Sequence, residues 1–458
     1  MAPPEHRPSV RPPLTSTRLR EIARDAYLVL AALASLALLM NALPGLHRTL
    51  STVSPPDLVA DYKVATAYRD GYDPYSPAGA RRSTLNRHGD TGFGHPPTTA
   101  FWALPLTRFD LVTANIVLGW LTLLMLLLEL CALALALRCP APLSTAFLGF
   151  SYLLTCSFVT YHLSAGQWSE AIGFLICAAW LSLRRGRDAL AGLCLGAACT
   201  MKLFPGVVVV FLLVARRFRA AAWAGAAYLA VAAVMTARFG FASWKVFLAV
   251  QGRIADQWLD NIQNQSVHGI VARLFFPTCG PRAGHVIPAA TALSTGISLA
   301  IAAALAWALR SRQRVALAFD LGYGAFVLLS LFTSQWTWEH YDVIFVLPMA
   351  ILMAQLPWLW QRARRRWAAA IVAVEAGTLA SWALSVHEKI GLQPVVRGGD
   401  HAHHLRLHAL EIVNWLPLVL LLALLVRILY LRVEPIPARP SAGSATGQPR
   451  DERGQEPR

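Results

Sequence analysis

RRGRDALAGLCLGAACTMKLFPGVVVVFLLVARRFR, residues 184–219, is the stretch on which the fold turns. Arginines stand at both ends. Between them, 188–215 is apolar except for Asp188 and the break Lys202-Leu-Phe-Pro205. Arginine clusters mark the cytoplasmic side of a membrane protein. One continuous helix would put the two clusters on opposite sides of the bilayer. Two short helices turning near Lys202–Pro205 keep both on one side. Each helix then has about 14 residues and spans about 21 Å, short of the roughly 30 Å hydrocarbon core. The turn therefore lies below the far surface, where irregular backbone survives only if buried in protein or lining a wet cavity. The reading is a hairpin; its alternative is a single Pro-kinked helix.

The rest of the chain agrees with a membrane setting. Of 458 residues, 56% are hydrophobic and 14% charged, against about 25% charged in an ordinary soluble domain. That apolar stock suits about twelve spanning helices of about 20 residues. It excludes a soluble globular enzyme, a disordered protein and a secreted disulfide scaffold. The net charge of +16 belongs to arginine-rich loops and not to nucleic-acid binding. The seven cysteines lie mostly in or beside apolar runs and form no CxxC, so neither a metal knuckle nor a disulfide framework is indicated.

Apolar runs follow at 26–46, 111–137, 141–160, 168–183, 188–201, 203–215, 220–237, 287–309, 315–333, 343–357, 367–386 and 409–431. Arginine clusters at 184–187, 216–219, 310–314 and 362–366 alternate with the short loops 161–167 and 334–342, which have no Lys or Arg. The chain thus reads as an all-α polytopic membrane protein with both tails cytoplasmic. Residues 1–25 and 432–458 are expected as disordered tails around one transmembrane domain, 26–431. The long loops 47–97, 238–286 and 387–408 face outward.

The outer face gathers the polar chemistry. Ser54-Pro-Pro-Asp57 resembles a helix start, and Asp57 to Arg69 reads as an amphipathic helix on the outer membrane surface, with Leu58, Val59, Tyr62 and Ala65 as its apolar stripe. Asp57 and Asp61 share its other face. Turns follow at Gly71-Tyr-Asp-Pro-Tyr75 and Gly94-His-Pro-Pro97. Gly166-Gln-Trp168, Lys202 with Pro205, Asn264-Gln-Ser266 with Arg273, and Ser334-Gln-Trp-Thr-Trp-Glu-His-Tyr341 fall on the same side. Lys and Arg suit a phosphate, and a carboxylate suits a general base. Trp336 also fits an interfacial belt.

Taken in order, Asp57, Gly71-x-Asp-Pro-Tyr75, His95-Pro-Pro97, Gly166-Gln167, Lys202-x-x-Pro205, Asn264-Gln-Ser266 with Arg273, and Trp338-x-His340 resemble glycosyltransferase family 87, the polyprenyl-phosphate-sugar-dependent α-mannosyltransferases of C-type fold. The resemblance covers roughly 26–430. It implies transfer of mannose, with inversion, on the extracytoplasmic face of the cell membrane. Its catalytic Asp falls on Asp57, with Asp61 second. Lys202, Arg273, His340, Gln265, Asn264, Gln167 and Trp338 would hold the donor, and Tyr75 and His95 would line the acceptor or loop side. Four positions depart from the family pattern. Asp61 stands where a Tyr is usual, His95 replaces the aromatic before Pro-Pro, Trp168 stands in place of an Asn, and Tyr341 stands in place of a second His.

The chemistry agrees. A lipid phosphate already leaves well, so one carboxylate base suffices and no acid partner is required. Asp57 would take the acceptor proton, and Lys202, Arg273 or His340 would stabilise the phosphate. The scheme calls for no cofactor, and no acidic cluster demands a metal. Its partners are a polyprenyl-phosphate sugar, a glycolipid or glycan acceptor and membrane lipids. Two other readings stay open: a proton-coupled transporter using Glu129, Asp320 and Glu375, and a polyprenyl-lipid flippase or ligase. The segment Asp400–His408 reads as a headgroup-facing loop before it reads as a metal site.

Overall fold

A computed structural model describes residues 16–50, 55–76, 78–79, 94–259, 264–275, 286–310, 316–362, 364–384, 416–417 and 419–431. The C-terminal tail, the loop 387–408 with its histidines, Cys279, Arg312 and Arg314 lie outside them. The described residues contain helices and no strand. This is what a chain in lipid requires, since each backbone N–H and C=O must find a partner within the protein.

The helices are α1 (Ser16–Leu50), α2 (Pro56–Arg69), α3 (Thr99–Ala103), α4 (Leu111–Ala136), α5 (Pro142–Leu153), α6 (Ser157–Ala165), α7 (Ser169–Arg184), α8 (Asp188–Met201), α9 (Gly206–Val214), α10 (Phe218–Phe239), α11 (Ala242–Trp258), α12 (Val267–Phe275), α13 (Val286–Arg310), α14 (Ala316–Phe332), α15 (Val346–Met353), α16 (Leu356–Gln361), α17 (Arg365–Leu384) and α18 (Val419–Leu431). Short 3-10 segments cover Leu104–Arg108 and Glu339–Phe345. Helix α1 starts at Ser16, so residues 16–25, expected within a disordered tail, are helical. Leu19, Ile22 and Ala23 among Arg and Glu favour a helix there.

Among the described residues, five helical segments are long and apolar enough to cross a membrane by length and composition, or six if the bent pair α5–α6 counts as one span. The run expected at 141–160 is that pair, bent by 73°.

The 188–215 segment turns back on itself. Helix α8 ends at Lys202, whose backbone is extended (φ −147°, ψ 149°), and α9 begins after Pro205. Its two ends then meet: Arg217 Nη1 lies 3.3 Å from Asp188 Oδ1. A continuous helix of this length would hold them about 40 Å apart, which excludes the kinked-helix alternative. Helix α8 also packs closely on α10. A Cβ at Gly192 would sit 2.2 Å from the Ala220 carbonyl oxygen, and one at Gly196 would sit 2.5 Å from that of Ala224. Small residues four apart let two backbones approach in this way.

The three carboxylates considered for transport lie in separate surroundings. Asp320 Oδ1 accepts from Trp180 Nε1 at 2.9 Å and lies 3.9 Å from Arg184 Nε, which is a helix-packing role. Glu129 is buried in α4. It lies against Glu170 and Gly173, in the first turns of α7. Glu375 is buried in α17.

Candidate active site

The site begins with the start of α2. Pro55 is its N-cap and Pro56 opens it, a position where a missing N–H costs nothing. Asp57 follows in the first turn, where the helix dipole favours a negative charge. The apolar stripe expected to face lipid turns into protein instead: Leu58 and Ala65 are fully buried. The Tyr62 hydroxyl donates to the Phe109 carbonyl at 2.6 Å. Asp57 is partly exposed, and Asp61, one turn on, is 5% exposed.

Gly166 brings α2 to the rest of the site. It ends α6 in the left-handed region (φ +68°), and a Cβ there would meet Leu58 Cβ at 2.6 Å and Pro55 Cβ at 3.1 Å. Only glycine tolerates both the conformation and the approach. The next two side chains then reach the acids. Gln167 Nε2 donates to Asp57 Oδ2, and Trp168 Nε1 donates to Asp61 Oδ2 at 2.8 Å. His95 Nδ1 lies 2.9 Å from the same Asp61 oxygen.

Lys202 sits at the tip of the α8–α9 hairpin, 6% exposed. Its Nζ donates to Gln167 Oε1 and to the Tyr341 hydroxyl, each at 2.8 Å, and lies 4.3 Å from the Tyr341 ring centre. A buried ammonium needs such partners. The tip is held by the residues after His95-Pro-Pro: Thr98 and Thr99 hydroxyls donate to the Thr200 and Met201 carbonyls at 2.7 Å. These are helix-end acceptors that α8 cannot satisfy itself. One hydrogen-bonded chain thus runs Asp57–Gln167–Lys202–Tyr341, and the Asp57 and Asp61 charges both act on Lys202.

The far wall is the 3-10 segment after Trp338, whose carbonyl accepts from Tyr341 N at 2.8 Å. Glu339 Oε1 accepts from Ser157 Oγ at 2.6 Å, which ties the segment to α6. His340 lies against Tyr341 and Tyr161, with ring centres 4.5 and 5.5 Å away. His340 and His162 are buried, and neither nitrogen of the His340 ring has a hydrogen-bond partner among the described residues. Tyr75 is buried edge-on against Phe239, with centres 5.5 Å apart. Burial pushes its hydroxyl pKa up, and the Asp61 and Asp73 charges add to the shift.

Asn264, Gln265 and Arg273 form a separate brace. Asn264 Oδ1 accepts from Ser266 N and Thr337 N at 3.1 and 3.0 Å, and Nδ2 donates to the Leu259 and Gln335 carbonyls. Gln265 N donates to the Thr337 carbonyl at 2.8 Å. Arg273 Nη2 donates to the Asn264 carbonyl at 2.9 Å. This cluster fixes the loop leading into Trp338. Asp57, Asp61, His95, Gln167, Lys202 and His340 are therefore gathered at one centre, while Asn264 and Arg273 support it from the side.

The profile of glycosyltransferase family 87 matches residues 93–334, which is 242 of the 458 residues. The chain belongs to glycosyltransferase family 87. No curated protein and no solved structure matches it. Family 87 membership makes it a membrane glycosyltransferase with a sugar donor and an acceptor. The matched region includes His95, Gln167 and Lys202. It begins after Asp57 and Asp61 and ends before Trp338 and His340, so those residues join the family 87 region through geometry. Sequence reasoning did not foresee His162, or the roles of Trp168 and Tyr341 as partners of Asp61 and Lys202. Both had stood out as departures from the family pattern, and that was the available signal.

Proposed function

We propose that this enzyme transfers a hexose, mannose by resemblance, from a polyprenyl-phosphate sugar to an acceptor hydroxyl, with inversion, at the extracytoplasmic face. The setting would be a C-type architecture of about twelve membrane helices within residues 26–431. The observation that carries this reading is the chain Asp57–Gln167–Lys202–Tyr341, which joins a carboxylate to a buried ammonium. Asp57 is partly exposed and Gln167 engages its Oδ2, so Oδ1 is the oxygen assigned to take the acceptor proton. Asp61 offers less as a base, because its Oδ2 is already shared by His95 and Trp168 in a buried setting.

In this scheme the acceptor oxygen attacks the anomeric carbon as its proton passes to Asp57. The glycosyl–phosphate bond breaks, and polyprenyl phosphate leaves with the electron pair. Lys202 stabilises that growing charge, with His340 and His162 as further hydrogen-bonding groups beside it. The test is transfer from polyprenyl-phosphate mannose by the purified protein, followed by release of polyprenyl phosphate. Transfer from a nucleotide sugar and none from the lipid donor would overturn the reading.

A further inference from the structure

At the end of the helices opposite Lys202 lies a cavity of about 520 Å³, a volume within the usual range of ligand sites. It opens between the ends of α7, α9, α13 and α14. Phe211, Val214, Leu309 and Phe319 give it apolar walls, and Arg184 and Arg217 stand at its edge beside Asp320. The side chains of Arg184 and Arg217 are 37% and 38% exposed, so both guanidinia are within reach of a ligand. Segments 184–187 and 216–219 carry six arginines, and between them the chain has one acid, Asp188. Asp188 is committed to Arg217, and Asp320 to Trp180 and Arg184. The end therefore keeps a positive excess. Arg216 adds to it from a left-handed backbone (φ +56°), where glycine would be less strained.

We propose that this cavity binds an anionic glycerophospholipid of the surrounding bilayer, its phosphate between Arg184 and Arg217 and an acyl chain along the apolar walls. The chemistry selects that occupant. A free phosphate would leave the aromatic and aliphatic walls wet. A zwitterionic headgroup would bring a second cation to an end that already carries more arginines than acids. Basic pockets between membrane helices on the cytoplasmic side suit anionic headgroups, and the arginine rule puts this end on that side. The site lies one helix length from Asp57 and Lys202 and makes no use of them.

The test uses delipidated full-length protein in neutral detergent, titrated with dioleoyl phosphatidylglycerol, dioleoyl phosphatidylcholine or water-soluble glycerol phosphate. The readouts are thermal midpoint and lipid retained in native mass spectrometry. Phosphatidylglycerol is expected to raise the midpoint and to be retained, and the other two are not. Arg184→Gln with Arg217→Gln should weaken it at least about tenfold, as expected for lost charge-assisted hydrogen bonds. Ala318→Leu should weaken it too, by filling the cavity while keeping both guanidinia; it carries the test if the double variant does not fold. Equal gains from phosphatidylcholine, equal gains from glycerol phosphate, or unchanged binding in the folded variants would overturn the proposal. Lipid retention is read without any transfer reaction, so its failure is separable from failure of the glycosyl-transfer reading.

Discussion

Helix α7 joins two unlike places. Just before its first residue, Gln167 and Trp168 hold the carboxylates of Asp57 and Asp61. At its last, about 24 Å on, Arg184 stands half out of the protein above the apolar cavity. At the first end every charge is set by its neighbours: Lys202 is 6% exposed and Asp61 is 5% exposed. At the second, charges are numerous, partly exposed and loosely paired. Buried charges in low dielectric interact strongly and tolerate little error, whereas exposed ones are screened and interchangeable. The same helices therefore carry a precise end and a permissive one, and substitutions should separate them.

The largest effect is expected at Asp57. Asp57→Asn keeps size and one acceptor oxygen but removes basicity, and should slow transfer by about 10²–10⁴-fold with donor binding retained. Asp61→Asn is the control within the same helix face. It should lose less activity, because it disturbs His95 and Trp168 and leaves the proton acceptor in place. If Asp61→Asn is the dead variant and Asp57→Asn turns over, the base is one helical turn away. If both turn over, transfer chemistry does not reside at this end.

Lys202→Met comes next. It removes two charge-assisted hydrogen bonds and the positive partner of the leaving phosphate, so the donor KM should rise roughly ten- to hundredfold. A thermal unfolding profile close to wild type would locate the loss in binding. Unchanged donor kinetics would give Lys202 a purely structural role.

Gly166→Ala tests how the precise end is assembled. The substitution places a Cβ against Leu58 and Pro55 at a left-handed φ, which costs roughly 1–3 kcal/mol. The helix α2 must shift, and with it the Asp57–Gln167 contact. The expected result is a lower thermal midpoint together with a lower kcat, since Gln167 and Trp168 follow directly. A stable variant with full kcat would show that α2 can reach the site without this close approach.

How far the sequence carried the fold depended on punctuation. The turn at Lys202–Pro205 was legible because a proline and a charge interrupt an apolar run and arginines flank it on both sides. The 73° bend between α5 and α6 had no such marker: Ser151-Tyr-Leu-Leu-Thr-Cys156 contains neither Gly nor Pro. There Thr155 Oγ1 bonds back to the Tyr152 carbonyl at 2.7 Å, a local alternative to helix continuation that a hydropathy pattern does not register. In the site, the polar residues of the outer face were legible as a group, but their pairing was not. Asp61, His95 and Trp168 each looked like a separate departure from the family pattern, yet they share one carboxylate oxygen. Arg273 was assigned to phosphate by its charge, and its Nη2 also donates to the Asn264 carbonyl, a contact that charge alone does not suggest. Sequence gives the donor and acceptor inventory. Which donor meets which acceptor across 34 or 107 positions of chain is decided by packing.

The smallest effect is expected at the permissive end. Asp188 and Arg217 close the base of the hairpin at 3.3 Å, with side chains 20% and 38% exposed. An ion pair so open to solvent contributes about 0–1 kcal/mol. The hairpin has stronger support elsewhere, in the close packing of Gly192 and Gly196 on α10 and in the Thr98 and Thr99 hydroxyls at its tip. Asp188→Asn should therefore move the thermal midpoint by no more than a few degrees and leave transfer unchanged, and the small shift should shrink further as salt is raised. The substitution also releases Arg217 from the acid it pairs with, so retention of phosphatidylglycerol should hold or increase. A large loss of stability would mean that the return of the chain rests on this pair. The two ends would then be coupled through α8, and the division between a precise and a permissive end would fail at that helix.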